Sequence, residues 1–226
     1  IDCFATAVLR NASNCDDAIA AIEEETGLPI TLLSARDEAH LGVVGATCDR
    51  AIERGTLIDI GGGSTELTRI ENGKESDGVS LGMGSLSSYA RFVKDILPTP
   101  EEALEIRAAF WELIEALPDR EAFRAERFYG IGGTVRAAAK MYAQTHGEGV
   151  RPKTLTPAQV DGILRMRRSD ASAYAHSALK ASAERIHTLT PGCVILESLL
   201  TGLGAEKLEI CKYGVREGYL IERMLG

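Results

Sequence analysis

One stretch of the sequence combines the residue types that bind phosphate and a divalent cation. An apolar segment leads to Asp59, and three glycines and a hydroxyl follow shortly after it, at Gly61, Gly62, Gly63 and Ser64. Consecutive glycines allow positive φ and close backbone approach, so several N–H groups can face one anion. The serine hydroxyl is a further donor, and the aspartate suits a hydrated Mg²⁺. By itself the stretch fits a phosphate-and-metal site and, equally, a flexible hairpin whose aspartate caps a turn.

A second glycine turn repeats this arrangement further along the chain. A short strand is predicted before Gly132, Gly133 and Thr134, and a helix is predicted to begin after them at Val135. Glycines that precede a helix leave its N-terminus and its dipole free to face an anion. Two such turns in one chain favour a ligand clamped between two phosphate loops. We expect the turns to face each other across a crevice, with the Glu38 carboxylate in reach of both.

Charged residues earlier in the chain offer acid–base and phosphate-binding chemistry. Glu38 lies in the first turn of a helix that Ser34 opens with a capping box. There it could act as a general base, because ligands gather at such helix starts, or it could be a solvated glutamate that stabilises the helix N-terminus. Arg10 has the planar fork that grips phosphate, although an exposed arginine without a partner is the commoner outcome. His40 has no second ligand at metal-binding spacing, which favours a surface or packing role.

The elements that position these residues alternate between strands and helices. Strands are predicted at the start of the chain, before and after the first glycine turn, before the second, and near both Pro29–Leu33 and Leu208–Cys211. The pair Asn72 and Gly73 predicts a tight turn into a third antiparallel strand. Helices fill most intervals; Gly27 ends one, and Thr190–Gly192 is predicted to open another. The polar segment Thr145–Arg151 is predicted as a loop, and the whole pattern is that of an α/β protein.

Composition excludes several classes of protein. The chain has 226 residues and a net charge of −8, which argues against a general binder of nucleic acid or of membrane surfaces. Its five cysteines show no CxxC spacing, which favours a reduced, cytoplasmic protein over a disulfide framework or a zinc site. No signal peptide or apolar run of membrane length is present. Because the sequence begins in mid-pattern at Ile1 without methionine, we expect it to be a piece of a longer protein.

Five segments together resemble the exopolyphosphatase / guanosine pentaphosphate phosphatase (Ppx/GppA) family. In chain order they are Ala5–Ala12, Asp37–Leu41, Ile58–Leu67, Gly130–Thr134 and Gly214–Gly218. The resemblance implies an α/β, ribonuclease-H-like fold of the actin/hexokinase/Hsp70 superfamily, with a mixed sheet flanked by helices and an active site in the cleft between two such domains. It further implies that residues 1–33 are a remnant of the first domain and that residues 34–226 form the second domain with its C-terminal helices.

The resemblance also implies an activity and a set of site residues. The activity is hydrolysis of an acid anhydride, with release of the terminal phosphate from inorganic polyphosphate or from pppGpp. Glu38 then activates the attacking water, Asp59 helps to position Mg²⁺, and Arg10 contacts the substrate. Phosphate oxygens are held by the two glycine turns, at Gly61, Gly62, Gly63, Ser64, Gly132, Gly133 and Thr134. These roles agree with phosphoanhydride chemistry, which needs charge neutralisation, amide donors and an oriented water.

Departures from the family pattern leave alternatives open. The family's first phosphate loop is absent, so we expect this chain alone to be inactive or nearly so, and His40 stands where arginine is usual. The resemblance suggests a homodimer for the intact protein. One alternative is a non-catalytic sensor that binds a guanosine polyphosphate or polyphosphate. Another is a kinase of the same superfamily, against which the Glu38 segment and the Arg216-Glu217-Gly218 ending weigh. The sequence does not separate polyphosphate from pppGpp.

Overall fold

The computed structural model of this chain describes residues 1–146 and 150–225. The strands in this range are β1 Cys3–Ala5, β2 Ile30–Leu32, β3 Arg54–Ile60, β4 Thr65–Glu71, β5 Lys74–Leu81, β6 Arg127–Ile131, β7 Thr154–Leu155 and β8 Lys207–Ile210. The α-helices are α1 Ala7–Arg10, α2 Cys15–Thr26, α3 Ala35–Thr47, α4 Ser85–Phe92, α5 Pro100–Glu115, α6 Gly132–Thr145, α7 Pro157–Ser169, α8 Ala171–Ser182, α9 Ile186–Gly202 and α10 Val215–Leu220. None of the described helices is long and apolar enough to cross a membrane.

A six-stranded mixed sheet forms the centre of the fold, in the order β5-β4-β3-β6-β8-β7. Strand β3 pairs antiparallel with β4 and parallel with β6, and β6 pairs parallel with β8. The carboxyl ends of β3, β6 and β8 therefore lie at one edge, which is where ligands bind in open α/β sheets. Strands β1 and β2 form a separate two-stranded parallel sheet. The predicted α/β architecture with a mixed sheet flanked by helices is confirmed; the domain division at residue 33 stays a prediction.

Helices cover both faces of the sheet because its strands alternate their side chains between two apolar clusters. On β3, Leu57 packs in the cluster that contains Val43 of α3, whereas Ile58 and Ile60 pack in the larger cluster that contains α9. Asp59 shares the face of Leu57, since side chains two residues apart on a strand point the same way. The aspartate therefore lies on the side of the sheet that α3 covers.

Local signals in the sequence account for several element boundaries. The Ser34 hydroxyl accepts a hydrogen bond from the Asp37 N–H at 3.0 Å, which completes the predicted capping box of α3. Asn72 and Gly73 have φ of 52° and 73°, as a tight hairpin turn between β4 and β5 requires. Gly27 ends α2 in the left-handed conformation, with φ 70°. These three predictions are confirmed.

Two predicted helix starts are wrong. The helix expected to open at Thr190–Gly192 begins at Ile186, and Pro191 lies inside it. Residues Thr188–Leu200 of α9 are all buried, so packing offsets the local cost of an interior proline. Helix α6 begins at Gly132 instead of Val135, so the second glycine turn is the first turn of the helix itself. Of the predicted loop at Thr145–Arg151, residues 147–149 lie outside the described range.

Close backbone contact between α3 and α10 fixes the helix that carries Glu38. A Cβ atom added to Gly218 would lie 1.9 Å from the Leu41 carbonyl oxygen, and one added to Gly45 would lie 2.0 Å from that of Gly214. Only glycine permits such an approach. The Glu217 carboxylate accepts a hydrogen bond from the Gly214 N–H at 2.9 Å and so caps α10. The Gly214–Gly218 segment thus has a structural role in placing α3.

Candidate active site

The two glycine turns lie side by side at the carboxyl edge of the sheet. They follow the neighbouring parallel strands β3 and β6, and the Thr134 hydroxyl donates to the Ile60 carbonyl at 2.9 Å. Gly132 has φ 83°, and a Cβ atom there would lie 2.3 Å from Asp59 Oδ1. The expectation that the turns face each other across a crevice is therefore wrong. Because β3 and β6 are parallel neighbours, the turns that follow them lie next to each other at the same edge of the sheet. The turns meet at Asp59.

The N-terminus of helix α4 donates hydrogen bonds to the carbonyl groups of the first glycine turn. The Ser85 N–H donates to the Gly61 carbonyl at 2.9 Å, and the Leu86 N–H donates to the Gly62 carbonyl at 2.8 Å. Within the described part of the chain, the N–H groups of Gly62 and Gly63 have no hydrogen-bond partner. The Gly61 N–H donates to the Ser64 carbonyl at 3.0 Å, so Gly62 and Gly63 offer the free amides of this turn that can face an anion.

The Ser64 side chain has a different environment from the one its predicted role requires. Its hydroxyl is buried and donates to Glu66 Oε1 at 2.5 Å. The hydroxyl is therefore engaged within the protein, and Ser64 can offer an external anion its backbone N–H. The role of Ser64 as a phosphate ligand stays a prediction, in which the backbone N–H makes the contact.

The second glycine turn offers the N-terminus of a fourteen-residue helix. No side chain caps this end, and the N–H groups of Gly132, Gly133 and Thr134 have no hydrogen-bond partner among the described residues. Their free N–H groups and the helix dipole together favour an anion at this end. Because the Thr134 hydroxyl already bonds to Ile60, its backbone is again the part that can bind.

Three carboxylates converge beside the two turns. Asp59 and Glu66 are directly opposite each other on β3 and β4, and Glu38 of α3 lines the same small cavity. The cavity has a volume of about 10 Å³, close to what one water molecule needs. Burial, and then the charges of Glu66 and Glu38, raise the pKa of Asp59 to about 7. Burial likewise raises the pKa of Glu66, although hydrogen bonds from Ser64 and Ser80 oppose this.

Glu38 is held in this cluster by an ion pair. The residue is 9 % exposed, and its Oε2 atom accepts a hydrogen bond from Arg10 Nη1 at 3.0 Å. Arg10 also donates to the Leu33 carbonyl at 2.7 Å, which ties it to the segment just before α3. The sequence left open that Glu38 is a solvated glutamate and that Arg10 is an exposed arginine without a partner. The ion pair between them excludes both alternatives. The structure brings Glu38, Arg10 and Asp59 to one site; their catalytic, substrate and metal roles stay predictions.

Two arginines at this edge were not assigned from the sequence. The Arg185 guanidinium lies against Gly133, where an added Cβ atom would be 2.5 Å from Arg185 Cζ. Arg136, one turn into α6, donates to the Lys212 carbonyl at 3.2 Å. The positive charges of Arg136 and Arg185 oppose the rise in the Asp59 pKa. Arg185 lies between α8 and α9, which both pack on α6, so no local motif could have indicated its position beside Gly133.

His40 has a partly exposed side chain that contacts two carboxylates. Its Nδ1 atom is 3.0 Å from Glu75 and its Nε2 atom is 3.1 Å from Glu222. These carboxylates raise the pKa of His40, while burial opposes the rise. The structure therefore gives His40 a surface ion-pairing role. No group of three or more histidine, cysteine, aspartate or glutamate side chains with metal-binding geometry occurs in the described ranges.

Comparison with known protein families identifies the family of the chain. The model of the Ppx/GppA phosphatase family matches residues 1–226. The chain belongs to the Ppx/GppA phosphatase family. Exopolyphosphatase 1 of Mycobacterium leprae is 26 % identical over 234 residues, covering 98 % of this chain and 67 % of that protein. Exopolyphosphatase 1 of Mycobacterium tuberculosis is 25 % identical and covers 98 % of this chain and 66 % of that protein. This Ppx/GppA chain thus spans about two thirds of these relatives.

Solved structures of Ppx/GppA proteins share the fold. An exopolyphosphatase from Cytophaga hutchinsonii matches with a TM-score of 0.80 and 19 % identity, over 98 % of this chain and 74 % of that one. A Ppx/GppA family member from Aquifex aeolicus matches with a TM-score of 0.75 and 20 % identity, over 99 % of this chain and 74 % of that one. The predicted family and the predicted actin-like fold are both confirmed.

Proposed function

We propose that the protein carrying this chain is a phosphoanhydride hydrolase that releases the terminal phosphate of inorganic polyphosphate. The observation that carries the proposal is the nearly buried Glu38 carboxylate, held by Arg10 beside Asp59 and the two glycine turns. Two relatives are named exopolyphosphatases, which supports polyphosphate as the substrate. A general base, free amide donors and nearby cations are what phosphoryl transfer to water needs.

The residues of this chain act by positioning and by charge. The terminal phosphate lies against the N–H groups of Gly62, Gly63 and Gly133, which stabilise the charge on its oxygens in the transition state. The Arg185 guanidinium, placed against Gly133, adds a cation at the same point. Glu38 accepts a proton from the attacking water, whose oxygen forms a bond to the terminal phosphorus as the bond from that phosphorus to the bridging oxygen breaks, so that the terminal group is released as phosphate. The shortened chain leaves with the bridging oxygen.

Asp59 fits a Mg²⁺ ion at this site. Asp59 is half-buried, and this burial together with the charges of Glu66 and Glu38 raises its pKa to about 7, so a cation there offsets an unfavourable negative charge. Mg²⁺ commonly takes one or two protein carboxylates and completes its shell with water and substrate phosphate. A bound Mg²⁺ neutralises charge that develops on the phosphate oxygens.

Two alternative functions predict a different result in an activity assay. A non-catalytic sensor binds the ligand without releasing phosphate, and a superfamily kinase consumes ATP with an acceptor. Guanosine pentaphosphate is the second family substrate, and we propose polyphosphate above it because of the two named relatives. The homodimer suggested by the resemblance and the cytoplasmic location suggested by the cysteine pattern belong to this proposal also.

The test is phosphate release by the longer protein that contains this chain, with long-chain polyphosphate or pppGpp and with or without Mg²⁺. Glu38→Gln removes the base while keeping the side-chain shape, and we expect the rate to fall by about 10²- to 10⁴-fold. Glu24→Gln, at an exposed position of α2, is the matched control. The 226-residue chain alone is assayed in parallel and is expected to release little phosphate. An unchanged rate in Glu38→Gln overturns the proposed role of Glu38, and binding without any release favours a sensor.

A further inference from the structure

The His40 side chain joins three separate elements of the fold. It lies in α3, its Nδ1 atom is 3.0 Å from Glu75 of β5, and its Nε2 atom is 3.1 Å from Glu222. Glu222 belongs to the C-terminal turn, a single π-helical turn at Ile221–Leu225 that follows α10. The imidazole therefore ties an edge strand of the six-stranded sheet to the C-terminal turn across α3.

Only the protonated imidazole suits both of these contacts. A neutral histidine has a proton on one ring nitrogen and a lone pair on the other, so a lone pair would lie close to a carboxylate oxygen. The imidazolium has a proton on each nitrogen and a positive charge between the two negative charges. Burial acts to lower the pKa of His40, but the hydrogen bonds and charges of Glu222 and Glu75 outweigh it and raise this pKa above its ordinary value. Since the side chain is 41 % exposed, its proton exchanges directly with solvent.

The C-terminal turn has few other contacts. It packs against α10 and α3, and Glu222, Arg223 and Leu225 are exposed. Among the described residues, no side-chain hydrogen bond or ion pair other than the one to His40 joins the turn to another element. Because local stability depends on local contacts, a turn held in this way loosens when its one charged contact is lost.

The other charged groups around α3 provide no second anchor for the turn. Asp37, three residues before His40, interacts electrostatically with His40 and Arg223, but its carboxylate accepts hydrogen bonds from Ser34, and no ion pair joins it to Arg223 in the described ranges. Arg36, Lys74 and Arg216 form no ion pair within residues 1–146 and 150–225. The other charged side chains on elements packed against α3 have partners elsewhere: Glu38 with Arg10, Glu66 with Ser64 and Ser80, Arg69 with Glu71, Asp77 with Gly78, Arg127 with Glu209, and Glu217 with Gly214.

We propose that His40 is a pH-sensitive latch that holds the C-terminal turn and β5 together across α3. The latch is closed while the imidazole is protonated. Because the pKa of His40 is raised in the folded chain, the latch is fully closed below about pH 6.5, the ordinary pKa of histidine, and opens as the pH rises through the raised pKa. Opening frees the turn but leaves α3 in place, since its close contact with α10 does not involve His40. This latch is independent of the proposed function, because Glu75 and Glu222 lie outside the candidate active site.

The test is an NMR titration of this chain from about pH 5.5 to about pH 9, which spans the ionisation of histidine. It follows the ring signals of His40 and the backbone order parameters of residues 221–225. The order parameters should fall from about 0.85 to below about 0.6 with the same midpoint as the His40 ring. In the double variant Glu75→Gln/Glu222→Gln, the His40 ring should titrate at a lower pH than in the unmodified chain.

Three variants separate the latch from a general effect of pH. His40→Gln has no charge, so the turn should be loose at every pH. His40→Arg keeps its charge and several N–H donors throughout, so the turn should stay ordered. His176→Gln, at an exposed position of α8, is the matched control and should behave as the unmodified chain does. Order parameters that do not change with pH in the unmodified chain, or that fall equally in His40→Gln, overturn the latch.

Single substitutions of the two carboxylates keep the test decisive if His40→Arg does not fold. Glu222→Gln should free the turn at every pH, because it removes the charge on the turn itself. Glu75→Gln should leave the turn bound at low pH and only lower the pH at which it is released. If Glu222→Gln leaves the turn as ordered as in the unmodified chain, the contact with His40 does not hold the turn and the latch is refuted.

Discussion

Replacing Asp59 by asparagine tests whether the site contains an uncompensated carboxylate. Burial and the nearby Glu66 and Glu38 charges raise the pKa of Asp59 from 3.8 to about 7. In the unfolded chain the carboxyl ionises near its ordinary pKa, so the folded protein loses stability as the pH rises from about 4 through about 7. Each pKa unit corresponds to about 1.4 kcal/mol, so the loss is at most about 4 kcal/mol above pH 7.

The assay is the free energy of unfolding by denaturant at pH 5 and at pH 8. Asp59→Asn should be more stable than the unmodified chain at pH 8, by about 2 to 4 kcal/mol, and this advantage should shrink by about 2 to 3 kcal/mol at pH 5. Asp95→Asn, at an exposed position, should show no such dependence on pH. Mg²⁺ at pH 8 should stabilise the unmodified chain and not Asp59→Asn. An Asp59→Asn variant that is destabilised at pH 8, or an advantage that is equal at both pH values, refutes the reasoning.

Two further predictions concern the helix that carries Glu38. Gly218→Ala should lower the free energy of unfolding by more than about 2 kcal/mol, because its Cβ atom would lie 1.9 Å from the Leu41 carbonyl oxygen. Gly162→Ala, where an added Cβ atom meets nothing within 4 Å, should raise the free energy of unfolding by up to about 1 kcal/mol. Thermal melts that show similar effects for the two variants would contradict the close contact at Gly218. Ser34→Ala should cost about 1 kcal/mol through loss of the hydrogen bond from the Asp37 N–H, and an unchanged denaturation midpoint would show that the cap is dispensable.

Predictions from sequence succeeded where one residue type determines the local backbone. The Ser34 cap, the Asn72–Gly73 turn and the end of α2 at Gly27 each depend on groups within a few residues. The family and the fold followed from several motifs in one order, and the match over residues 1–226 confirms both. Such features need no knowledge of distant contacts.

Predictions failed where distant packing decides. Pro191 normally begins a helix, but it lies inside α9 because that helix is buried along most of its length. The side-by-side arrangement of the glycine turns depends on the parallel pairing of β3 with β6, which the sequence of either turn does not contain. Arg185 reaches Gly133 because α8 and α9, which flank it in sequence, both pack on α6. The hydroxyls of Ser64 and Thr134 bond within the protein, and the phosphate contacts of both residues stay predictions.

The most direct measurement of the central claim is the change in backbone amide chemical shifts when pyrophosphate and Mg²⁺ are added to this chain. If the two glycine turns form one phosphate site, the largest changes will be at the amides of Gly62, Gly63, Gly133 and Thr134. Smaller changes should extend to Glu38 and Asp59, which lie beside the turns. Changes confined to other surfaces, with these amides unaffected at saturation, would contradict a phosphate site at this edge of the sheet.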